Sequence, residues 1–280
     1  MDDSSSQPSL PGLAVPGLAG PGLAVPGLAA GLSLAGSSPG GLSSQPLAPS
    51  RPNRPRVRPS CQLSQGDAVA FLQGLPSDSV DLLITDPPYE SLEKHRAIGT
   101  TTRLKHSKSS SNDWFDIFPN SRFPELFSQV FRVLKKHSHF YLFCDQETMF
   151  AAKPLAEAAG FKFWKPLVWD KRKIGMGYHY RSRYELILFF EKGKRKLNNL
   201  GIADVIECPR VISGYPAQKP SEVCQVLIEQ SSVAGDVVVD PFMGSASCGE
   251  AALAVGRQFL GNDLSKQALV LAKERLARWL

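Results

Sequence analysis

Short apolar runs alternate with amphipathic segments along the chain from about residue 61 onward. Runs such as Val80–Thr85 have the length and composition of buried parallel strands, whereas residues 123–134 carry apolar side chains at helical spacing. The pattern predicts strands at residues 80–85, 139–144, 165–169, 184–190, 236–240 and 258–262, and helices at 67–75, 123–134, 149–160, 221–231, 248–255 and 265–280. Strands that alternate with helices in this way indicate a doubly wound α/β sheet.

The first part of the chain shows neither the helical spacing nor the apolar runs of strands. Pro-Gly-Leu-Ala occurs at residues 11–14, 16–19, 21–24 and 26–29, and 17 of the first 50 residues are Gly or Pro, with no aromatic residue among them. Gly and Pro interrupt helices and strands, so we predict a disordered tail at residues 1–58 and one folded domain at residues 59–280. The tail ends in an arginine-rich stretch without acids, which is either a phosphate-binding arm or a solvated linker.

Composition narrows the class of protein. With 42% hydrophobic and 21% charged residues the 280-residue chain can bury a full core, and it contains no apolar run long enough to span a bilayer. The acidic Met-Asp-Asp start does not resemble a secretory signal, so we expect a cytoplasmic protein. Five scattered cysteines and five histidines show no metal-ligand spacing, so no metal site is predicted. A net charge of +6 favours a polyanionic partner.

Ligands of doubly wound sheets bind beyond the carboxyl ends of the strands, which makes the loops after the apolar runs informative. The first of these loops is Asp86-Pro87-Pro88-Tyr89. Two prolines stiffen the backbone here, so a carboxylate, a carbonyl oxygen and an aromatic ring are held close together. This set suits an amino group on a flat heterocycle, with the ring of Tyr89 as a stacking surface.

A second loop, Asp240-Pro241-Phe242-Met243-Gly244-Ser245, follows the run at residues 236–240. Small residues between a strand and a helix let a ligand approach the backbone at a helix amino terminus. Asp263 lies 19 residues beyond Gly244, at the end of the next strand, where nucleoside-binding units place an acid against the ribose.

The two loops, in this order, resemble the permuted β class of DNA amino-methyltransferases over about residues 61–280. The resemblance implies a Rossmann-like fold with circularly permuted motifs and the cofactor S-adenosyl-L-methionine. It assigns Asp86, Pro87, Pro88 and Tyr89 to catalysis, and Tyr215-Pro216-Ala217-Gln218-Lys219-Pro220 to the segment before the cofactor-proximal helix. Ala246, Tyr215 and Ala217 depart from the usual glycine, histidine and threonine. The cofactor-binding residues it implies are Asp67, Asp86, Lys219, Pro220, Asp240, Pro241, Phe242, Gly244, Ser245 and Asp263.

The implied activity is methyl transfer from S-adenosyl-L-methionine to the exocyclic N6 amine of adenine in double-stranded DNA, by direct in-line attack of a flipped base. An exocyclic amine is a weak nucleophile, and acceptors on both N–H bonds turn it toward reactive geometry. The absence of a Pro-Cys dipeptide disfavours methylation of cytosine ring carbon. N4-cytosine methylation, a non-catalytic nucleic-acid-binding module, and RNA or protein-glutamine methylation stay open as alternatives. A restriction endonuclease is a candidate partner, and the oligomeric state is left open.

Two basic stretches are candidate DNA contacts. Residues 90–122 form a long connection, predicted to be a mobile insertion, and residues 171–183 interleave basic and aromatic side chains between two strands. Lys192–Lys196 favours a solvated turn, with phosphate contact as the alternative. The predicted DNA-binding residues are Lys94, Arg96, Arg103, Lys105, Lys108, Lys171, Arg172, Lys173, Arg181 and Arg183.

Overall fold

The computed structural model describes residues 58–91, 116–175, 179–212, 215 and 217–280. The predicted tail therefore lies almost wholly outside the described residues, as does most of the predicted insertion. The strands are β1 (Cys61–Gln65), β2 (Val80–Thr85), β3 (Leu134–Cys144), β4 (Lys162–Asp170), β5 (Tyr184–Lys192), β6 (Val205–Glu207), β7 (Val237–Asp240) and β8 (Gln258–Asp263). The helices are α1 (Ala68–Gln73), α2 (Phe123–Val133), α3 (Gln146–Ala158), α4 (Ser221–Ser231), α5 (Ser247–Ala254) and α6 (Lys266–Leu276), with single 3-10 turns at Asn120–Arg122 and Ala277–Trp279.

The eight strands in the described part of the chain form one mixed sheet in the order β1-β8-β7-β2-β3-β5-β4-β6. The first five run parallel, β5 is antiparallel to both β3 and β4, and β6 is parallel to β4. Because β2 lies beside β7 in the middle of the sheet, the loops that follow these two strands emerge next to each other. This is where a doubly wound sheet binds its ligand.

Both faces of the sheet are covered by helices, and the side chains of the strands alternate between the two faces. Leu83 and Phe140 pack on the face that holds α1, α2 and α3, whereas Leu82 and Tyr141 pack on the face that holds α4, α5 and α6. Period-two alternation of apolar residues on both faces explains why the central strands appear as unbroken hydrophobic runs. None of the helices in the described ranges is long and apolar enough to cross a membrane.

The predicted elements agree with the structure in number of helices and differ mainly at the strands. Residues 221–231 form α4 as predicted, and Ser265 caps α6 by accepting a hydrogen bond from the Ala268 amide. β3 and β4 begin earlier than their apolar runs. Leu134 opens β3 in the buried core, but the polar residues 135–138 separate it from the apolar run, and β4 opens on the exposed Lys162 before Phe163 packs against the core. The edge strands β1 and β6 were not predicted. Each has a single neighbour in the sheet and therefore lacks the apolar composition of a buried strand.

Candidate active site

A cavity of about 680 Å³ opens at the carboxyl ends of β2 and β7. Its volume lies in the range of small-molecule sites. Both sequence-predicted loops line it, as do Asp67, Lys219 and Asp263, whereas Pro220 lies outside the lining and precedes α4 as its N-cap. The predicted residues that line the cavity are Asp67, Asp86, Pro87, Pro88, Tyr89, Lys219, Asp240, Pro241, Phe242, Gly244, Ser245 and Asp263.

Asp86 is engaged through both carboxylate oxygens. The Tyr89 hydroxyl donates a hydrogen bond to Oδ1, and the Lys219 ammonium forms an ion pair with Oδ2. The pKa of Tyr89 is raised well above its ordinary value by burial and by the adjacent Asp86. Tyr89 packs partly against the core, so its ring is less open to solvent than the sequence alone implies.

A second carboxylate, Glu185, lies at the beginning of β5 and lines the same cavity. Lys171 donates a 2.5 Å hydrogen bond to Glu185 Oε1, and the Lys219 ammonium lies 3.4 Å from Oε2. Burial alone would raise the pKa of Glu185, but the two lysines lower it below its ordinary value. Burial likewise opposes the charge of Lys219, but Asp86 and Glu185 hold its pKa above the ordinary value. The four side chains therefore form a linked row of alternating charge.

The loop after β7 is built on Asp240, which is buried. Its Oδ1 accepts hydrogen bonds from the Thr85 hydroxyl (3.1 Å) and from the Phe242 amide (3.0 Å). Burial raises the pKa of Asp240 to about 8. The side chain thus acts as a structural support below the loop and ties it to the end of β2.

Gly244 adopts a left-handed backbone with φ +51°, and a Cβ at this position would lie 3.1 Å from the Tyr215 ring. The Gly244 amide donates a 2.9 Å hydrogen bond to Asp263 Oδ2, and the Ser265 amide donates a 2.8 Å bond to Oδ1. Burial raises the pKa of Asp263. Ala246 also has a left-handed backbone, with φ +59°, which favours glycine and explains why the resembling family has one there.

Asp67 closes the opposite side of the cavity and caps α1. Its Oδ1 accepts hydrogen bonds from the amides of Val69 (3.0 Å) and Ala70 (3.1 Å), and Arg122 makes two further bonds to the carboxylate at 2.7 and 3.1 Å. These bonds from Arg122, ahead of the other contributions, lower the pKa of Asp67. The carboxylate is thereby held in one orientation toward the cavity.

Among the lining residues, the sequence analysis missed Phe118, Arg122 and Glu185 as parts of the site. Phe118 packs edge-on against Phe242 with ring centroids 5.1 Å apart, and its amide donates a 3.0 Å hydrogen bond to the Pro88 carbonyl. The positions of the three residues in the sequence carry no distinctive motif. A charged residue at the start of an apolar run was the one available signal, and it applies to Glu185.

The structure sorts the predicted DNA contacts at residues 171–183 into two groups. Lys171, Arg172 and Arg183 form ion pairs within the protein, with Glu185 (2.5 Å), Glu207 (3.3 Å) and Asp170 (2.6 Å) respectively. Lys173 and Arg181 are exposed and form no ion pair with another described residue. The end of β4 pairs with the start of β5, so the connection between them lies at the same edge of the sheet as the cavity. Lys94, Arg96, Arg103, Lys105 and Lys108 lie outside the described residues.

The fold and the cavity define the chain as an α/β protein with a nucleoside-sized site next to a rigid Asp-Pro-Pro-Tyr loop. A family model for DNA methylases, of the N6 and N4 type, matches residues 80–274. The chain therefore belongs to the N6-adenine/N4-cytosine DNA methyltransferase family.

Curated relatives agree with this assignment. The chain is similar to the type II methyltransferase M.HpaI of Haemophilus parainfluenzae, with 27% identity over 75% of this chain and 72% of the relative. It is also 29% identical to the DNA adenine methyltransferase YhdJ of Escherichia coli K12, over 75% of this chain and 81% of the relative. Among solved structures, a protein of Thermus thermophilus described as a DNA modification methylase superposes with a TM-score of 0.60 at 25% identity, covering 79% of this chain and 95% of that one.

These findings confirm the predicted family, the α/β fold class and the class of enzyme, a DNA methyltransferase that uses S-adenosylmethionine. DNA is its substrate. Among the described residues no group of three or more His, Cys, Asp or Glu side chains is placed to hold a metal ion.

Proposed function

We propose that this protein transfers a methyl group from S-adenosylmethionine to the exocyclic N6 amine of adenine in DNA. The observation that carries the proposal is the common cavity, in which Asp86 at the end of β2 and the Gly244 loop at the end of β7 face one another. A heterocyclic amine held at the first loop would lie next to a nucleoside cofactor held at the second.

Several features of the cavity support this cofactor. The buried hydroxyl of Ser247 lines the cavity and has no hydrogen-bond partner among the described residues, which leaves a donor for a ligand. Asp263 accepts two backbone hydrogen bonds and retains lone pairs for the hydroxyls of a ribose. The rings of Phe118 and Phe242 offer an apolar wall for a purine. Asp67 would meet the cofactor adenine, as the family resemblance implies.

The chemistry proposed for the first loop is acceptance of hydrogen bonds. Asp86 and the Pro87 carbonyl would accept the two N–H bonds of the substrate amine and so direct its lone pair into the cavity. The bound cofactor supplies an electrophilic methyl group on a sulfonium. Tyr89, held by its bond to Asp86, would offer its ring as a stacking surface to the flipped base, which leaves the duplex at a cost of a few kcal/mol.

Adenine is proposed as the base because aspartate begins the tetrapeptide and because the similar Escherichia coli protein is named as an adenine methyltransferase. A solved cytosine-N4-specific methyltransferase, PvuII, shares the fold with a TM-score of 0.59 at 16% identity, which is a likeness of fold alone.

The direct test is transfer of labelled methyl groups to unmethylated genomic DNA, followed by digestion to nucleosides and mass spectrometry. We expect the label in N6-methyladenine. Label in N4-methylcytosine would refute adenine as the target base, and absence of label from DNA would refute the proposed methyltransferase activity.

A matched pair of variants tests the role of Asp86 in methyl transfer. Asp86→Ala should reduce transfer by at least about 100-fold while cofactor binding, followed by calorimetry, is retained. Asp204→Ala, which removes an exposed carboxylate paired with Lys165 on β4, should leave transfer unchanged. Retained turnover in Asp86→Ala would refute its role.

The proposal includes a partner restriction endonuclease, supported by the type II designation of M.HpaI. DNA methylated by this protein would then resist cleavage by the endonuclease that reads the same sequence. Sequencing of the methylated positions supplies that recognition sequence, and digestion with endonucleases of matching specificity tests the protection.

A further inference from the structure

Lys219 lies between two carboxylates from distant parts of the chain, Asp86 in the loop after β2 and Glu185 in β5. Its ammonium forms an ion pair with Asp86 Oδ2 and lies 3.4 Å from Glu185 Oε2. The side chain of Lys219 is only 11% exposed, and those of the carboxylates are 26% and 25% exposed. A charge this deep depends on its partners, because little water reaches it.

The two carboxylates are not equally occupied. Asp86 already accepts the Tyr89 hydroxyl at Oδ1 and the Lys219 ammonium at Oδ2. Glu185 accepts Lys171 at Oε1, whereas its Oε2 is buried and accepts no hydrogen bond from any described residue. The ammonium is therefore bonded to one carboxylate and lies next to a free oxygen of the other.

We propose that Lys219 is a positioning residue that moves from Asp86 to Glu185 when the substrate amine binds, so that Glu185 releases Asp86 for the reaction. This inference rests on the proposed function, since it takes the amine as the incoming donor. The ammonium on Oδ2 competes with the amine N–H for the same acceptor. Transfer of the ammonium to Glu185 Oε2 keeps the ammonium paired and leaves Asp86 with the Tyr89 hydroxyl and the amine N–H as its donors. A lysine side chain with three N–H donors makes this shift by small torsional changes.

The charge state of Lys219 agrees with a positioning role and excludes a role as general base. Asp86 and Glu185 hold the pKa of Lys219 above its ordinary value, so the side chain stays an ammonium and does not remove a proton from the amine. Besides Lys219, Asp86 and Glu185 themselves, the ionisable side chains that interact electrostatically with these two carboxylates are Tyr89, Cys144, Lys171 and Asp240.

A test without turnover uses the free, full-length protein labelled with 15N-lysine. NMR reports whether Lys219 Nζ is charged, and its signal is assigned by its loss in Lys219→Arg. In Asp86→Asn and in Glu185→Gln we expect a charged amine at about pH 8, because the remaining carboxylate holds it, and a neutral amine in the double variant. A neutral amine in Asp86→Asn alone, or a charged one in the double variant, would overturn the proposal. Asp86→Ser and Glu185→Ala replace any amide variant that fails to fold.

Kinetics supply the second test. Glu185→Gln should lower kcat at least about tenfold with KM for the cofactor within about twofold, because Lys219 then stays on Asp86 in the substrate complex. Adding Lys219→Met to Glu185→Gln should raise kcat again by at least about threefold, because no ammonium then remains on Asp86. A purely structural role of the two residues would not give this rescue. A further loss of kcat in the double variant, or a wild-type kcat in Glu185→Gln, would refute the positioning role.

Lys165→Met is the matched control for the added substitution, because it removes one positive charge from an exposed pair with Asp204 at 2.8 Å and should not raise kcat in Glu185→Gln. Failure of the wild-type protein to methylate DNA would overturn the proposed function and leave the NMR result to decide on the ammonium's two partners. Normal methylation with a negative NMR result would overturn the further inference alone.

Discussion

The Thr85 hydroxyl donates a 3.1 Å hydrogen bond to the carboxylate of Asp240. Both side chains are buried, and they are the last residues of the neighbouring strands β2 and β7. The bond therefore joins the strand that carries the Asp-Pro-Pro-Tyr loop to the strand that carries the glycine loop. Two loops from distant parts of the chain are held in one cavity at this point.

The raised pKa of Asp240 predicts a pH dependence of stability. Its pKa is about 8 in the folded protein, against an ordinary value of 3.8. The folded state thus binds the proton more tightly, and the contribution to the free energy of unfolding falls as pH rises from about 4 to about 8 and is constant above that. Asp240→Asn removes the titration and keeps an oxygen for the Thr85 hydroxyl. In urea unfolding without cofactor, the free energy of unfolding of the variant minus that of the wild type should rise by up to about 1 kcal/mol per pH unit between about pH 5 and 8. A constant difference across this range would contradict the assignment.

Gly244→Ala should weaken cofactor binding. Its φ of +51° is strained for alanine, and the new Cβ would lie 3.1 Å from the Tyr215 ring. We expect a loss of about 1–2 kcal/mol in stability and a rise of at least about tenfold in the calorimetric Kd for S-adenosylmethionine.

Gly256→Ala is the matched control for this substitution. It has a similar φ of +79°, but its Cβ would meet only Ala234 at 3.6 Å, away from the cavity. It should lose comparable stability and keep the wild-type Kd. Equal losses of affinity in both variants would show that the effect of Gly244→Ala is general destabilisation.

Arg122→Met should lower cofactor affinity with a small effect on folding. The guanidinium fixes the Asp67 carboxylate through two hydrogen bonds, and both side chains are more than a third exposed. A pair this exposed contributes at most about 1 kcal/mol to stability, whereas freeing Asp67 should raise the Kd for S-adenosylmethionine about threefold or more. Lys153→Met breaks an exposed helical pair with Glu157 and serves as the control for lost charge. An unchanged Kd in Arg122→Met would contradict the role of Arg122.

Lys173→Ala combined with Arg181→Ala should weaken DNA binding and reduce its dependence on salt. Both side chains are exposed in the connection beside the cavity. If each neutralises one phosphate, the slope of log affinity against log salt should fall in magnitude by about 2. Lys136→Ala with Lys162→Ala removes the same charge from exposed positions near the amino ends of β3 and β4, at the edge of the sheet away from the cavity, and should leave the slope unchanged. Equal slopes for both double variants would refute a DNA contact at Lys173 and Arg181.

The local sequence was sufficient for the helices, the central strands and the two loops that line the cavity. The loop at Asp86 was recognisable because two consecutive prolines after an apolar run fix their own φ angles and stiffen the backbone. The loop at Gly244 was recognisable because small residues after a strand allow a ligand to approach the backbone closely. The helix at 221–231 was predicted to its ends, because Pro220 marks its start. Order of the two loops along the chain sufficed to predict the family.

Tertiary structure alone decided which side chains meet across the cavity. Lys219 reaches Asp86 over 133 residues of sequence and Arg122 reaches Asp67 over 55, because the strand order brings their loops together. Edge strands β1 and β6 were likewise decided by pairing with one neighbour rather than by an apolar pattern. Hydrophobic periodicity reports which face of an element is buried, but strand order and register depend on the whole packed sheet, so contacts of this kind follow only from the fold.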